Sequence, residues 1–416
     1  MIVTPLTILG ILHTAHAFFA TTTTIPSSSS SSSTCLHRNH SPLLHPLFAI
    51  ETSFPNKDVN NAEFDIGVCN IPGVDWQRPS KVNQDWAFID HQSLLNTDDA
   101  ATDADDDDGG GRSKKMYTLI GVLDGHGKYG HELSSFAAKN MPCEVSNQLA
   151  ASTVATSKEL PELPEPILEF ERQTIQTSGG FNCAEYKSTT TRTQQALINA
   201  FHTVHYNAIH DTTVKAGRNG ATCIVCHIDH DTKECTVAYV GDSRAIRFST
   251  AGDVVDDDDH DADDGNDEES PRIEVIAEEH TATLPDERTR IENGEGTLRG
   301  NNVFYGPIGI AMTRALGDAV MVRAGVIPTP TVSKFQLNQG DVLVLATDGI
   351  WDVLGNERVR DIIVTLEPRQ QQGGSGSTAQ DAAEEIARVA RERWMGDLPI
   401  MDEMKADDIM VLVVKC

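Results

Sequence analysis

Basic residues are scarce in this 416-residue chain: 33 Lys and Arg stand against 62 Asp and Glu, for a formal net charge of −29. No basic stripe offsets that balance, which argues against a general nucleic-acid binder, because affinity for a phosphate backbone comes mainly from Lys and Arg. Long apolar runs are missing too. Beyond the N-terminal stretch, no segment approaches the roughly 18 apolar residues a membrane span needs, so the mature protein is expected to be soluble. Cys35, Cys69, Cys143, Cys183, Cys223, Cys226, Cys235 and Cys416 are scattered along the chain, too sparse for the disulfide framework of a small secreted scaffold. Free thiols are the expectation. Cys223-Ile224-Val225-Cys226 has C-x-x-C spacing, but it lies in a strand-like run with no second pair to complete a zinc site.

Acid is absent from the first fifty residues, which hold no Asp, Glu or Lys and one Arg, Arg38. Ile2 to Phe19 is mostly apolar, and Ala15-His16-Ala17 supplies the A-x-A pattern of a signal-peptidase site. Thr21 to Thr24 and Ser27 to Ser33 follow, a composition that cannot pack a core. Residues 1–50 therefore read as a targeting leader, a signal peptide to about residue 17 and then a transit-like segment. It resembles the bipartite plastid presequence of algae with secondary plastids, with Phe18 in the aromatic place after the cleavage site. That resemblance implies a plastid location; the secretory pathway and the cytoplasm are the alternatives.

The acid is concentrated elsewhere. Residues 98–108 hold seven Asp and residues 253–269 eleven Asp or Glu, with no Lys or Arg in either, so the rest of the chain carries about −11, an ordinary surface charge for its size. Neither run has the Gly and terminal Glu spacing of a calcium loop, and both read as solvated inserts. Residues 60–416 are expected to form one domain, interrupted by acidic or polar inserts at 97–115, 156–190, 251–271 and 370–377.

Within that domain, Leu197, Phe201, Val204 and Ala208 recur with helical spacing, as do Ala383, Ile386, Ala390 and Trp394. Ser377, three residues before Gln380, is the expected capping box of the second helix. Strands are expected over Ala221 to Ile228, Cys235 to Val240, Arg244 to Phe248, Asp341 to Ala346 and Ile409 to Val414. Short turns between several of them imply antiparallel sheet.

Two of the apolar runs end in Asp-Gly: Leu119 to Asp124-Gly125-His126-Gly127, and Val342 to Asp348-Gly349. A carboxylate closing a buried strand points out of a core into a cleft. Asp85, before Trp86-Ala87-Phe88-Ile89, and Asp407, before Ile409 to Val414, stand at comparable ends. Hard cations such as Mg2+ and Mn2+ take oxygen ligands and keep several waters, so carboxylates gathered from different strands suit them. Like charges crowded together would imply a neutralising metal. One sequence does not show the crowding.

The ordered set Asn83-Gln84-Asp85, Val122-Leu123-Asp124-Gly125-His126-Gly127, Gly220-Ala221-Thr222, Tyr239-Val240-Gly241-Asp242-Ser243-Arg244-Ala245, Thr313-Arg314-Ala315-Leu316-Gly317-Asp318, Ala346-Thr347-Asp348-Gly349-Ile350-Trp351-Asp352 and Asp407-Asp408-Ile409 resembles the metal-dependent protein phosphatases of type 2C. The resemblance covers roughly residues 60–416. It implies an α+β fold, a four-layer α-β-β-α sandwich with two central antiparallel sheets, and hydrolysis of phosphoserine and phosphothreonine in proteins by a water activated between two Mg2+ or Mn2+ ions. By the same resemblance Asp124 bridges both metals and Gly125 offers its carbonyl. Asp348 and Asp407 bind one metal, Asp85 supports the other, and His126 is the general acid. Asp242 and Asp352, with Asp348, would hold a weaker third metal. The segment from Thr281 to Ala311 matches the family's flap. No cysteine sits in a phosphate-cradling loop, in keeping with a mechanism that needs no covalent nucleophile.

Two departures bear on activity. Many family members carry an arginine phosphate clamp five residues before the Asp85 position and a Glu directly before it; here Ser80 and Gln84 stand there. Lys81 or Arg78 is the expected substitute, although Lys lacks the planar fork of Arg. Asp408 replaces the family's usual Asn. These departures would permit the alternative of a catalytically weak pseudophosphatase acting as a binding module. Retention of Asp85, Asp124, Asp348 and Asp407 favours the enzyme, a monomer with a phosphoprotein substrate and no nucleic-acid or membrane-spanning role.

Overall fold

Alternation of side chains between two dry faces explains why the apolar runs become strands. The computed structural model describes residues 64–75, 81–95, 114–154, 164–169, 190–250, 271–366, 377–396 and 405–416. The expected leader, Arg78, Ser80 and nearly all of the four inserts lie outside them.

One antiparallel sheet has the order β1 (Asp65–Ile71), β17 (Ile409–Lys415), β15 (Asp341–Ala346), β8 (Arg244–Ser249), β9 (Glu274–Ala277). The other runs β3 (Asp85–Leu95), β4 (Lys114–His126), β6 (Cys223–Asp229), β7 (Glu234–Val240), β14 (Thr331–Gln336). The end of β4 also pairs with β5 (Gly220–Ala221), which pairs in turn with β13 (Leu316–Gly317). A two-stranded ribbon joins β2 (Val74–Asp75) to β16 (Lys405–Ala406).

Successive strand residues point to opposite faces. Leu343 and Leu345 of β15, Met410 and Leu412 of β17, Ile120 and Val122 of β4 and Ile224 of β6 meet between the sheets. Their neighbours Val342, Val344, Val411 and Val413 pack instead on α5 (Asn356–Leu366) and α6 (Ala379–Met395). Leu119, Leu123 and Val225 pack on α1 (Gly130–Val154) and α2 (Arg192–His210). The result is the four-layer α-β-β-α sandwich. Each fully buried Leu or Ile contributes about 1.5–3 kcal/mol of transfer free energy, which is why these strands read as unbroken apolar runs.

Elements differ from expectation in places. The strand expected over Ala221 to Ile228 is broken at Thr222, whose N–H donates to the Asp124 carbonyl at 2.8 Å and whose Oγ1 accepts the Asp124 N–H at 2.9 Å. Helix α6 is capped by Thr378 with Asp381, not Ser377 with Gln380: Thr378 Oγ1 accepts the Asp381 N–H and Asp381 accepts the Thr378 N–H. Gln380 is drawn away to β1, where its amide brackets Val68 from both sides. Helix α1 has no counterpart in the sequence reading. Its buried stripe, Leu133, Ala137, Met141, Val145 and Leu149, is diluted by Ala and Ser on the other faces and interrupted by Pro142.

Between β9 and β14 the chain builds a separate small unit from α3 (Pro285–Asn293), the three-stranded sheet β10 (Thr297–Arg299), β11 (Asn302–Tyr305), β12 (Ile308–Ile310) and a 3-10 turn at Met321–Ala324. It has its own core of Ile291, Val303, Met312, Met321 and Val326. Its root is ionic. Glu287, 2% exposed, accepts from Arg290 Nη1 at 2.8 Å, from Arg314 Nε at 2.9 Å, and from Thr313 Oγ1.

Candidate active site

Strand ends gather the carboxylates. Asp85 opens β3 and lies directly opposite Asp124 in the β3–β4 ladder, a like-charge pairing that destabilises a sheet unless something neutralises it. Asp348 begins the short helix α4 (Asp348–Trp351) just after β15, and Asp407 occupies the step between β16 and β17. Burial, then repulsion from Asp408 and Asp348, pushes the Asp85 carboxyl well above the usual carboxylate range. Asp124 is raised by burial and then by Asp85, Asp348 and Asp242. Burial and then Asp242 and Asp407 push Asp348 up to about 7. Burial raises Asp242 to about 6, with Glu279 and Asp352 adding to it and His126 opposing. Asp352 is raised by burial, Asp407 and Glu279. The six aspartates singled out by resemblance thus form one repelling cluster.

Neutral donors and close backbone packing hold it. Thr347 Oγ1 donates to Asp85 Oδ2 at 2.8 Å and itself accepts the Met410 N–H at 3.1 Å. Thr222 Oγ1, which fixes the Asp124 backbone, lies 2.7 Å from Ser243 Oγ. At Gly349 a Cβ would collide with the Asp408 carbonyl, so the glycine after Asp348 serves strand-to-helix contact and not merely a turn.

Gln84 is a hub: its N–H donates to Asp408 Oδ2 at 3.1 Å, its carbonyl accepts the Gly125 N–H at 3.1 Å and the Ser134 hydroxyl at 2.6 Å, and its side-chain Nε2 donates to the Gly127 carbonyl at 2.8 Å. The last bond needs an amide; an ionised Glu has no proton to give there. Asp408 also accepts the Gly73 N–H at 2.5 Å. Lys81 Nζ reaches Asp407 at 2.7 Å and Asp408 at 3.4 Å, so the extra acid at Asp408 is offset by the lysine expected to meet phosphate.

His126 closes β4 and is 21% exposed at its side chain. Its Nε2 is 2.5 Å from Oδ2 of Asp318, which is 1% exposed. Burial lowers the His126 pKa, but the Asp318 charge and hydrogen bond outweigh it and the net direction is upward. Asp318 stands in a motif that carried the resemblance without any role assigned to it. The signal was its position at the end of Thr313 to Asp318; its partner, 192 residues away, had no local signature.

The donor set fits hard divalent cations. It is all oxygen, its carboxylates repel one another, and Asp85 Oδ1 and Asp242 Oδ1 are buried without a hydrogen-bond partner. Among the described residues no three His, Cys, Asp or Glu side chains close around a single point as a ready cation cage. Mg2+ and Mn2+ retain several waters and need one or two carboxylates each, so such a cage is not a requirement of this chemistry. Cys223 and Cys226 are buried free thiols in β6.

Fold and site together define a class: two antiparallel sheets flanked by helices, with a largely half-buried carboxylate cluster and a His-Asp pair at the strand ends. Comparison identifies the family. A model described as "Protein phosphatase 2C" matches residues 96–397, and the chain belongs to the protein phosphatase 2C family, whose members are serine/threonine protein phosphatases that act on phosphoproteins. Asp85 and Asp407 fall just outside the matched span. The chain is 27% identical over 305 residues to "Probable protein phosphatase 2C 61" of Arabidopsis thaliana, covering 71% of this chain and 74% of that one. It is 26% identical over 298 residues to "Probable protein phosphatase 2C 12" of Oryza sativa subsp. japonica, covering 68% and 70%. Among solved structures, the serine-threonine phosphatase 2C from Toxoplasma gondii superposes with a TM-score of 0.52 at 17% identity, covering 88% of this chain and 96% of that one. That likeness shows the fold. No helix among the described residues is long and apolar enough to cross a membrane.

Proposed function

We propose that this chain is an active Mg2+- or Mn2+-dependent phosphatase of phosphoserine and phosphothreonine in proteins. The observation that carries the reading is the cluster of buried Asp85 with half-buried Asp124, Asp242 and Asp348, mutually raised in pKa, beside a histidine held by a carboxylate. In a member of this family, that combination is the machinery of phosphoryl hydrolysis. Asp124, the Gly125 carbonyl, Asp348, Asp407 and Asp85 would hold the two ions, and Asp242 and Asp352, with Asp348, a weaker third. When bound, the cations supply charge neutralisation for the phosphoryl group and activation of water. The chain itself contributes rigid carboxylates, a general acid in His126, and phosphate contacts for which Lys81 and Arg78 are the candidates. The flap unit, anchored through Glu287, lies in the segment proposed to influence substrate choice.

The test is the initial rate of hydrolysis of a phosphothreonine peptide by the full chain with Mn2+ or with chelator, beside Asp348→Asn. Metal-dependent turnover that the variant loses, by about 10²-fold or more as for removal of an electrostatic stabiliser, is the expected result. Absence of turnover in folded, metal-replete protein would overturn the reading and leave a binding module.

A further inference from the structure

The His126–Asp318 contact is built at some cost in backbone conformation. Asp318 has φ +47 and follows Gly317 at φ +77, so a non-glycine residue sits in the left-handed region that side chains other than Asn and Asp rarely adopt. Strain of that kind persists only where the surroundings enforce it. Here they do. The Asp318 N–H donates to the Asn219 carbonyl at 2.9 Å, its carbonyl accepts the Met321 N–H at 2.7 Å, and the Gly317 N–H donates to Nδ1 of the buried His205 at 3.1 Å. Opposite the pair, a Cβ at Gly220 would fall on Asp318 Oδ2 and His126 Nε2. The space is reserved for this contact. His126 Nδ1 is then buried with no hydrogen-bond partner, an uncompensated polar atom that ordinarily costs stability.

We propose that Asp318 is the positioning residue of the general acid. Its carboxylate accepts the Nε2–H of His126, fixing the ring so that Nδ1 is the nitrogen serving the substrate. As the ester P–O bond breaks, the leaving oxygen keeps the electron pair and takes the proton from Nδ1; the neutral imidazole stays bonded to Asp318 through Nε2–H, and water supplies the new P–O bond, releasing a proton to solvent, from which Nδ1 is reprotonated before the next turnover. This role rests on the phosphatase reading, but its geometry is testable without it.

The experiment uses full-length protein with 15N-labelled histidine, first without metal. His126 is assigned by its loss in His126→Gln. Its Nε2 is expected to be the hydrogen-bonded, protonated nitrogen, and Asp318→Asn, which suits the left-handed backbone, is expected to shift that resonance; an unchanged resonance overturns the proposal. Kinetics with Mn2+ follow on two substrates. Loss of general acid help is worth about 10²-fold or more on a phosphothreonine peptide, whose alkoxide needs a proton; on p-nitrophenyl phosphate, whose leaving group does not, the Asp318→Asn loss should be at least tenfold smaller. His126→Gln combined with Asp318→Asn should be no slower than His126→Gln alone. Equal losses on both substrates, or additive losses in the double variant, would make Asp318 structural and overturn the proposal. If Asp318→Asn fails to fold, Gly220→Ala disturbs the same contact from the opposite side and must give the same substrate-selective loss. Unaltered protein inactive on both substrates, with the Nε2 signature present, would sink the phosphatase reading while the geometry stands.

Discussion

Around Glu287 the buried charges are matched; around Asp124 they face one another. Glu287 takes bidentate contact from Arg290 and further bonds from Arg314 and Thr313, and although burial opposes it, these partners hold its carboxyl well below the usual range. Asp85 is as dry as Glu287 while Asp124 and Asp348 are half-buried, yet their charged neighbours are mainly each other and they are displaced upward. Burial is common to both clusters, so the partners decide the direction. The first cluster is finished by the chain alone and fastens the flap unit to the sandwich. The second would be completed by the cations of the proposed function.

The largest effect should come from breaking the matched cluster. Glu287→Ala removes the carboxylate that two buried guanidinium groups share, and removal of one partner of a buried ion pair costs about 3–5 kcal/mol. A clear fall in the urea midpoint is expected; an unchanged midpoint would mean that the network is not structural.

The unmatched cluster should respond with the opposite sign. Asp348 titrates at about 7 in the fold and near 3.9 when unfolded. Between these values the folded state binds the extra proton, so metal-free protein is most stable at low pH in this respect and loses that stability as pH rises through about 7. With chelator present, the thermal midpoint should fall from pH 5 to pH 8. Asp348→Asn should flatten that slope and stabilise the metal-free protein at pH 8 by about 1–3 kcal/mol, while abolishing turnover. Saturating Mn2+ should restore the midpoint of the unaltered protein, by linkage. A midpoint that rises with pH in chelator would refute the comparison. Least of all, Thr378→Ala removes the cap of α6 and should cost about 1 kcal/mol, whereas Ser377→Ala should cost nearly nothing; equal effects would return the cap to Ser377.

Much of the carboxylate site was legible because Asp85, Asp124, Asp348 and Asp407 stand near strand boundaries beside a glycine or an apolar run. Asp242 and Asp352 were reached only through the family resemblance of the ordered motifs around them. What supports them was harder to see. Thr222, Thr347 and Gln84 act through partners such as Asp124, Asp85 and Gly127 that lie far away in the chain or on another strand, and a hydroxyl or amide has no periodicity to betray it. Helix α1 escaped for a related reason, since small residues on several faces blur an amphipathic stripe that only packing on β4 makes plain.

Local sequence was enough for the alternation that makes two antiparallel sheets, the strand ends where carboxylates emerge, and the concentration of acid in residues 98–108 and 253–269, because these are consequences of period and composition. It took the folded chain to show that the carboxylates converge in one cluster, that Lys81 lies against Asp407 and Asp408, and that Asp318 meets His126. Those are encounters between segments up to several hundred residues apart. Their energies depend on distance and burial, which no local pattern records.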